Sequence, residues 1–148
     1  MPKIERTADI AWDGNLARGA GTISAETGAF SQLGYSLATR IGAPEGKTSP
    51  EELLAGAHGG CLVMSLVGEL TNAATPPGHV DATCRIVMDE VEGQGHQIVA
   101  SFVDVVVAAD GVDEGALAAH AAKADEGCPF SALLRRAGAE VHVSVRLA

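Results

Sequence analysis

Two of the three cysteines in this 148-residue chain stand where a thiol can do chemistry. Cys128, in Gly127-Cys128-Pro129, sits at the mouth of a predicted helix, where the macrodipole and free N–H groups favour a thiolate. Cys61 lies inside an uncharged run and has no such help. A buried thiol without a partner titrates above its usual value of about 8.5 and is inert near neutrality, whereas a guanidinium beside it lowers it by roughly 1 to 3 units. Arg40, read as leaving an apolar strand shortly before that run, is the candidate cation. Without it, Cys61 is packing. His58 stands three residues before Cys61, close enough on a helix to act on it. It could serve as a general base, as a metal ligand with Cys61 and Cys128, or as a core histidine with its hydrogen bonds satisfied. No Cys-x-x-Cys or further histidine pair supplies a fourth ligand, which disfavours the metal.

The element that must position Cys61 is the stretch Thr48 to Leu70, TSPEELLAGAHGGCLVMSLVGEL. Ser49 can cap it, Pro50 suits the first helical position, Glu51 lies in the first turn and Glu52 completes a capping box. From Leu53 to Gly68 no residue is charged and no face is wholly polar, so the helix should be buried all round. The uncharged run is shorter than the roughly 20 residues of a bilayer span, which places that burial inside protein. Gly56, Gly59 and Gly60 each cost about 1 kcal/mol against alanine in a helix, so another backbone or a ligand should approach there.

Around this helix the chain reads as follows. Residues 4 to 13 and 15 to 25 form a hairpin about Asp13-Gly14, and a third strand runs from Phe30 to Thr39. Residues 41 to 48 are a loop. Thr75-Pro76-Pro77-Gly78 stops the helix, and Val80 to Asp89 alternates as a strand with Cys84 on its core side, where a small buried hydrophobe is the simple reading. After Gly93-Gln94-Gly95 comes a strand from Gln97 to Ala109, apolar on both faces over much of its length, as a central or interface strand would be. Residues 113 to 126 are an alanine-rich helix, Phe130 to Ala137 a short one, and Val141 to Leu147 a closing strand. Strands, helix, strands, helices, strand make a single α+β domain rather than a βαβ series.

A net charge of −9 with 47% hydrophobic residues fits one globular domain and argues against nucleic acid or an anionic membrane as partner, since no lysine and arginine stripe is present. The opening MPKIERTADI has no hydrophobic core of signal-peptide length, so the chain reads as cytoplasmic. In a reducing compartment a cysteine pair is more often catalytic, redox-active or metal-binding than a structural bridge.

Several motifs reach further. Ile10-Ala11-Trp12-Asp13-Gly14, Arg18-Gly19 with Gly21-Thr22, Thr39-Arg40, Thr48 to Leu54, Ala57-His58 with Cys61, and Gly127-Cys128-Pro129 with Ser131 resemble the OsmC/Ohr family of thiol peroxidases over nearly the whole chain. The position of Arg40 after the third strand is similar to the osmotically inducible branch. Gly59-Gly60, where alanines are usual, and Phe130, where a smaller aliphatic residue is common, depart from the pattern. The resemblance implies an OsmC-like fold of antiparallel sheets around long central helices, an intertwined homodimer, and a peroxidase that needs no cofactor and no metal. Cys61 would be the peroxidatic thiolate, Cys128 the resolving thiol, Arg40 the cation at the sulfur and Glu51 the carboxylate that orients Arg40. The substrate would be an organic hydroperoxide, hydrogen peroxide a weaker one, and a dithiol the reductant. Glu51 and Cys61 are ten residues apart on one helix, about 15 Å along its axis, so a site using both should take Glu51 from a second chain. Phe30, Leu33, Tyr35, Phe130 and Leu134 are candidate apolar walls. The rival reading is a redox-sensing or ligand-binding module without turnover, and a structural metal site is the third.

Overall fold

The elements follow the expected order with one short helix added. The computed structural model describes residues 2–148, which divide into an N-terminal unit ending at Pro50 and a second unit, Glu51–Ala148.

The N-terminal unit is an antiparallel sheet of β1 (Ala8–Asp13), β2 (Ala20–Ala25) and β3 (Leu33–Tyr35), in that order. Asp13-Gly14 is not a two-residue hairpin turn. Asp13 pairs with Ala20, and the six residues between them form a loop closed by Asn15. The Asn15 side chain accepts from the Arg18 N–H at 2.9 Å and its carbonyl accepts from the Gly19 N–H at 2.7 Å, a local alternative to the ladder that asparagine offers. Gly21 lets Trp12 and Tyr35 meet: a Cβ there would stand 2.5 Å from the tyrosine ring and 2.7 Å from the tryptophan ring, which pack edge to face with centroids 5.5 Å apart.

The third strand is also shorter than its alternation suggests. Ser36 accepts from the Thr39 N–H while the Thr39 hydroxyl accepts from the Ser36 N–H, both at 3.2 Å. That reciprocal cap ends β3 and starts a short helix, α1 (Leu37–Ile41). Arg40 therefore lies in the last turn of a helix rather than leaving a strand, a favourable place for a cation.

The second unit carries α2 (Pro50–Asn72), β4 (His79–Val91), β5 (Gly95–Ala108), α3 (Glu114–Gly127), α4 (Pro129–Arg136) and β6 (Glu140–Leu147). The sheet order is β4-β5-β6, so the doubly apolar strand is central as expected. This sheet is mixed, not wholly antiparallel. β4 and β5 form an antiparallel hairpin, but β5 and β6 run parallel, joined by a crossover through α3 and α4. Val103, Val105 and Val107 of β5 build the core with Leu62, Leu66 and Leu70 of α2 and Leu117, Ala121 and Ala124 of α3.

Within the single chain α2 is not buried all round. His58, Leu62, Leu66 and Leu70, four apart, face the core; Gly56, Gly60, Met64 and Gly68, equally spaced on the other side, are exposed, Met64 by 77%. By length and composition α2 would also pass for a membrane span, contrary to the reading from its uncharged run, but its buried stripe packs on protein. Of the glycines, Gly59 is the close approach: a Cβ there would sit 3.0 Å from that of Cys84, while Gly56 and Gly60 face open space.

Candidate functional site

Cys61 and Cys128 come together. Cys61 projects from the fourth turn of α2, half-buried, and Cys128 is fully buried at the residue that precedes Pro129 in α4. Proline at the first position of α4 costs no hydrogen bond and fixes the start of the helix beside its cysteine. Both cysteines are free thiols, and Cys128 and the Phe130 N–H lie near enough to Cys61 to act on its ionisation. Burial pushes the Cys61 thiol up, and the hydrogen bond and charge of Cys128 add to this; the Phe130 N–H works the other way. Inside its own unit Cys61 is thus held as a thiol, as anticipated for a sulfur without a cation.

Glu51 opens α2, and the helix continues unbroken to Cys61, about 15 Å further along its axis, so within one chain Glu51 does not touch that sulfur. Arg40 belongs to the N-terminal unit. Of the proposed walls, Phe130 is half-buried beside Cys61, whereas Leu134 is spent in the core. Phe30, Leu33 and Tyr35 are half-buried in the N-terminal unit.

His58 is a satisfied core histidine. It has no exposed surface; Nδ1 is 2.7 Å from the Ser101 hydroxyl and Nε2 is 2.8 Å from that of Ser131. Burial lowers its pKa; the negative charge of Asp125 opposes this and the positive charge of Arg135 adds to it, so the ring is neutral with one nitrogen donating and one accepting. Both nitrogens being engaged, the ligand set of His58, Cys61 and Cys128 loses its histidine, and among the described residues no group of three or more His, Cys, Asp or Glu is arranged to hold a metal. Cys84 faces the core as expected, its sulfur 3.5 Å from the Ser101 hydroxyl and 4.0 Å from His58 Nδ1. Ser101 was not singled out from the sequence. A lone hydroxyl inside the apolar strand Ile98 to Val103 was its only signal. Arg135 and Asp125 form a bidentate ion pair across the α3–α4 corner that holds Cys128.

The arrangement is that of a two-thiol α+β protein, with one sulfur on a long helix and the other at the head of a short one. The model of the family described as OsmC-like protein matches residues 42–144, and the chain belongs to that family. It is 34% identical over 132 residues to Peroxiredoxin OsmC of Escherichia coli K12, covering 89% of this chain and 91% of that one. Its fold is similar to an organic hydroperoxide resistance protein OsmC from Legionella pneumophila, with a TM-score of 0.76 at 21% identity over 97% and 98% of the two chains. The organic hydroperoxide resistance protein OhrB of Bacillus subtilis gives a TM-score of 0.67 at 21% identity over 96% and 98%.

Proposed function

We propose that this protein reduces organic hydroperoxides, and hydrogen peroxide more weakly, to alcohols and water. It is a peroxiredoxin-type oxidoreductase by its family and by its identity to Peroxiredoxin OsmC. The observation that carries the finer reading is the pairing of a half-buried Cys61 thiol with a buried Cys128 thiol near enough to act on its ionisation.

The chemistry runs in three balanced steps. The Cys61 thiolate attacks the distal oxygen of ROOH, the O–O bond breaks, and with one proton the products are Cys61–SOH and ROH. The Cys128 thiol then attacks the sulfenic sulfur; an S–S bond forms and water leaves. A dithiol reductant exchanges with the disulfide, is itself oxidised to a disulfide, and returns both thiols.

The first step needs an ionised sulfur, and the surroundings of Cys61 within the second unit oppose ionisation. Arg40 is the residue we assign to reverse that and to polarise the peroxide, with Glu51 of a second copy of the chain orienting its guanidinium. The fifteen-ångström rise between Glu51 and Cys61 and the exposed Gly56, Gly60, Met64 and Gly68 stripe of α2 both favour a homodimer with its sites at the interface. The two units would then act as one domain in a reducing, cytoplasmic setting. An apolar wall that includes Phe130 favours organic peroxides, each buried methylene adding about 0.8 kcal/mol of binding.

The test is hydroperoxide consumption with a dithiol. Turnover by the native chain, lost in Cys61→Ser and in Arg40→Ala, is the expected result. A redox sensor or ligand-binding module would not turn over, and a Cys61→Ser variant as active as the native chain would overturn the assignment.

A further inference from the structure

Apart from the thiol pair, the second unit contains a buried polar cluster that the three chemical steps do not use. It comprises His58 of α2, Ser101 of β5, Ser131 of α4 and the edge of Cys84 of β4. Buried polar groups stabilise little net, and an apolar set of the same shape would serve the core as well, so their placement calls for a reason. The placement is specific. His58 stands one turn before Cys61 on α2 and Ser131 lies in the first turn of α4, three residues after Cys128. The 2.8 Å bond from His58 Nε2 to the Ser131 hydroxyl therefore ties the turn that carries one thiol to the turn that carries the other. On its far side the 2.7 Å bond to Ser101 fixes the ring against the central strand, and the Cys84 sulfur 3.5 Å from Ser101 closes the chain of hydrogen bonds.

We propose that His58 is a positioning residue for disulfide closure: through Ser131 it holds the head of α4 so that the Cys128 sulfur faces Cys61. Disulfide geometry is narrow, with Cβ atoms about 3.5–4.5 Å apart, so a small drift of α4 slows closure. Closure converts Cys61–SOH and Cys128–SH into the disulfide and water. It competes with a second peroxide, which turns Cys61–SOH and ROOH into the sulfinic acid and ROH, so the strap also guards Cys61 against irreversible oxidation. The inference rests on the peroxidase reading for its role in turnover, but not for the geometry of closure.

Two measurements test it. In glutathione buffers the two thiols and oxidised glutathione equilibrate with the Cys61–Cys128 disulfide and two reduced glutathiones, which differential alkylation and mass spectrometry quantify without any peroxide. Ser131→Ala, which removes one oxygen and little volume, should shift this equilibrium towards the dithiol by about tenfold, the usual worth of a buried hydrogen bond. His58→Asn, whose amide can replace Nδ1 but not reach Ser131, should do the same; His58→Gln, whose amide can replace Nε2, should stay within about threefold of the native chain. After a pulse of tert-butyl hydroperoxide, Cys61 sulfenic acid trapped by a dione probe should persist about tenfold longer in Ser131→Ala and His58→Asn, with sulfinic acid accumulating. Native equilibrium and native sulfenic lifetime in Ser131→Ala would overturn the proposal, as would a His58→Gln variant as impaired as His58→Asn, because a histidine that merely fills space does not distinguish the two amides. A native chain that leaves the hydroperoxide intact would sink the peroxidase reading alone, since the glutathione equilibrium still reports on the strap.

Discussion

The two faces of α2 both lack Asp, Glu, Lys and Arg, and they have different fates. Along one, Leu62, Leu66 and Leu70 are buried against β5 and α3, and His58 is buried between Ser101 of β5 and Ser131 of α4. Along the other, Gly56, Gly60, Met64 and Gly68 are exposed, and a Cβ built on any of those three glycines meets nothing within 4 Å. An apolar helix has to be covered, but its composition does not say by which chain. The first face folds the unit, and the second is what the proposed dimer would use.

The largest effect should come from setting these faces against each other. Leu66→Ala removes a side chain with 1% exposure and should cost about 2–5 kcal/mol in denaturant unfolding, whereas Met64→Ala should cost less than about 0.5 kcal/mol in a dissociated chain. Equal losses at low protein concentration would erase the distinction. If a second copy covers the open face, Met64→Glu should lower the sedimentation mass to that of one chain while Leu66→Ala lowers the melting temperature without changing assembly.

A second comparison is between what the second unit does to Cys61 and what Arg40 is proposed to add. Burial and Cys128 hold the thiol protonated, so its reactivity at neutral pH should rest on the guanidinium. In Arg40→Ala, alkylation of Cys61 near pH 7 should slow by about 10- to 1000-fold, matching a rise of 1 to 3 units. An unchanged rate would show that Arg40 does not govern the ionisation of Cys61.

His58 and Cys61, one turn apart, respond to pH in opposite ranges. The pKa of His58 is lowered from its ordinary 6.5, so the unfolded chain takes up the proton first as pH falls. Its contribution to stability is therefore full above about 6.5 and declines below it, with a slope of at most about 1.4 kcal/mol per pH unit for one group. His58→Gln should flatten the decline in unfolding free energy between pH 6.5 and 5. A slope as steep in that variant as in the native chain would assign the acid sensitivity to other groups.

Features encoded by neighbouring residues were readable from the sequence, and those made by distant ones were not. Ser49-Pro50-Glu51-Glu52 announced the start of α2, and the alternation Val141, Val143, Val145, Leu147 announced β6, because each is a local pattern with a local cause. The direction of β6 was hidden, since the residues of a strand do not state which neighbour they will join or in what sense. α1 was hidden because Ser36 and Thr39 read as positions of an alternating strand until their side chains are seen to cap each other. At the site, Cys61 and Cys128 stood out by their surroundings, but their approach depends on α4 docking against α2 and was legible only through the family resemblance. Ser101 carries no motif; its place in the His58 cluster follows from the register of β5.

The smallest effect concerns how α2 ends, and it separates helix termination from the proline block that follows. The Thr75 N–H bonds the Leu70 carbonyl at 2.9 Å and the Ala74 N–H bonds that of Thr71 at 3.0 Å, which closes the helix with Ala74 at φ 61°. A left-handed alanine costs roughly 1–2 kcal/mol relative to the right-handed region, and glycine occupies that conformation without the penalty. Part of the gain is returned because glycine frees the unfolded chain, so Ala74→Gly should raise stability by about 0.5–1 kcal/mol in thermal or urea unfolding. Pro76→Ala should have little effect, since the helix is already closed by the Thr75 bond before the prolines begin. The opposite pattern, loss with glycine at 74 and fraying without proline at 76, would show that the prolines rather than the left-handed turn set the end of the helix that carries Cys61.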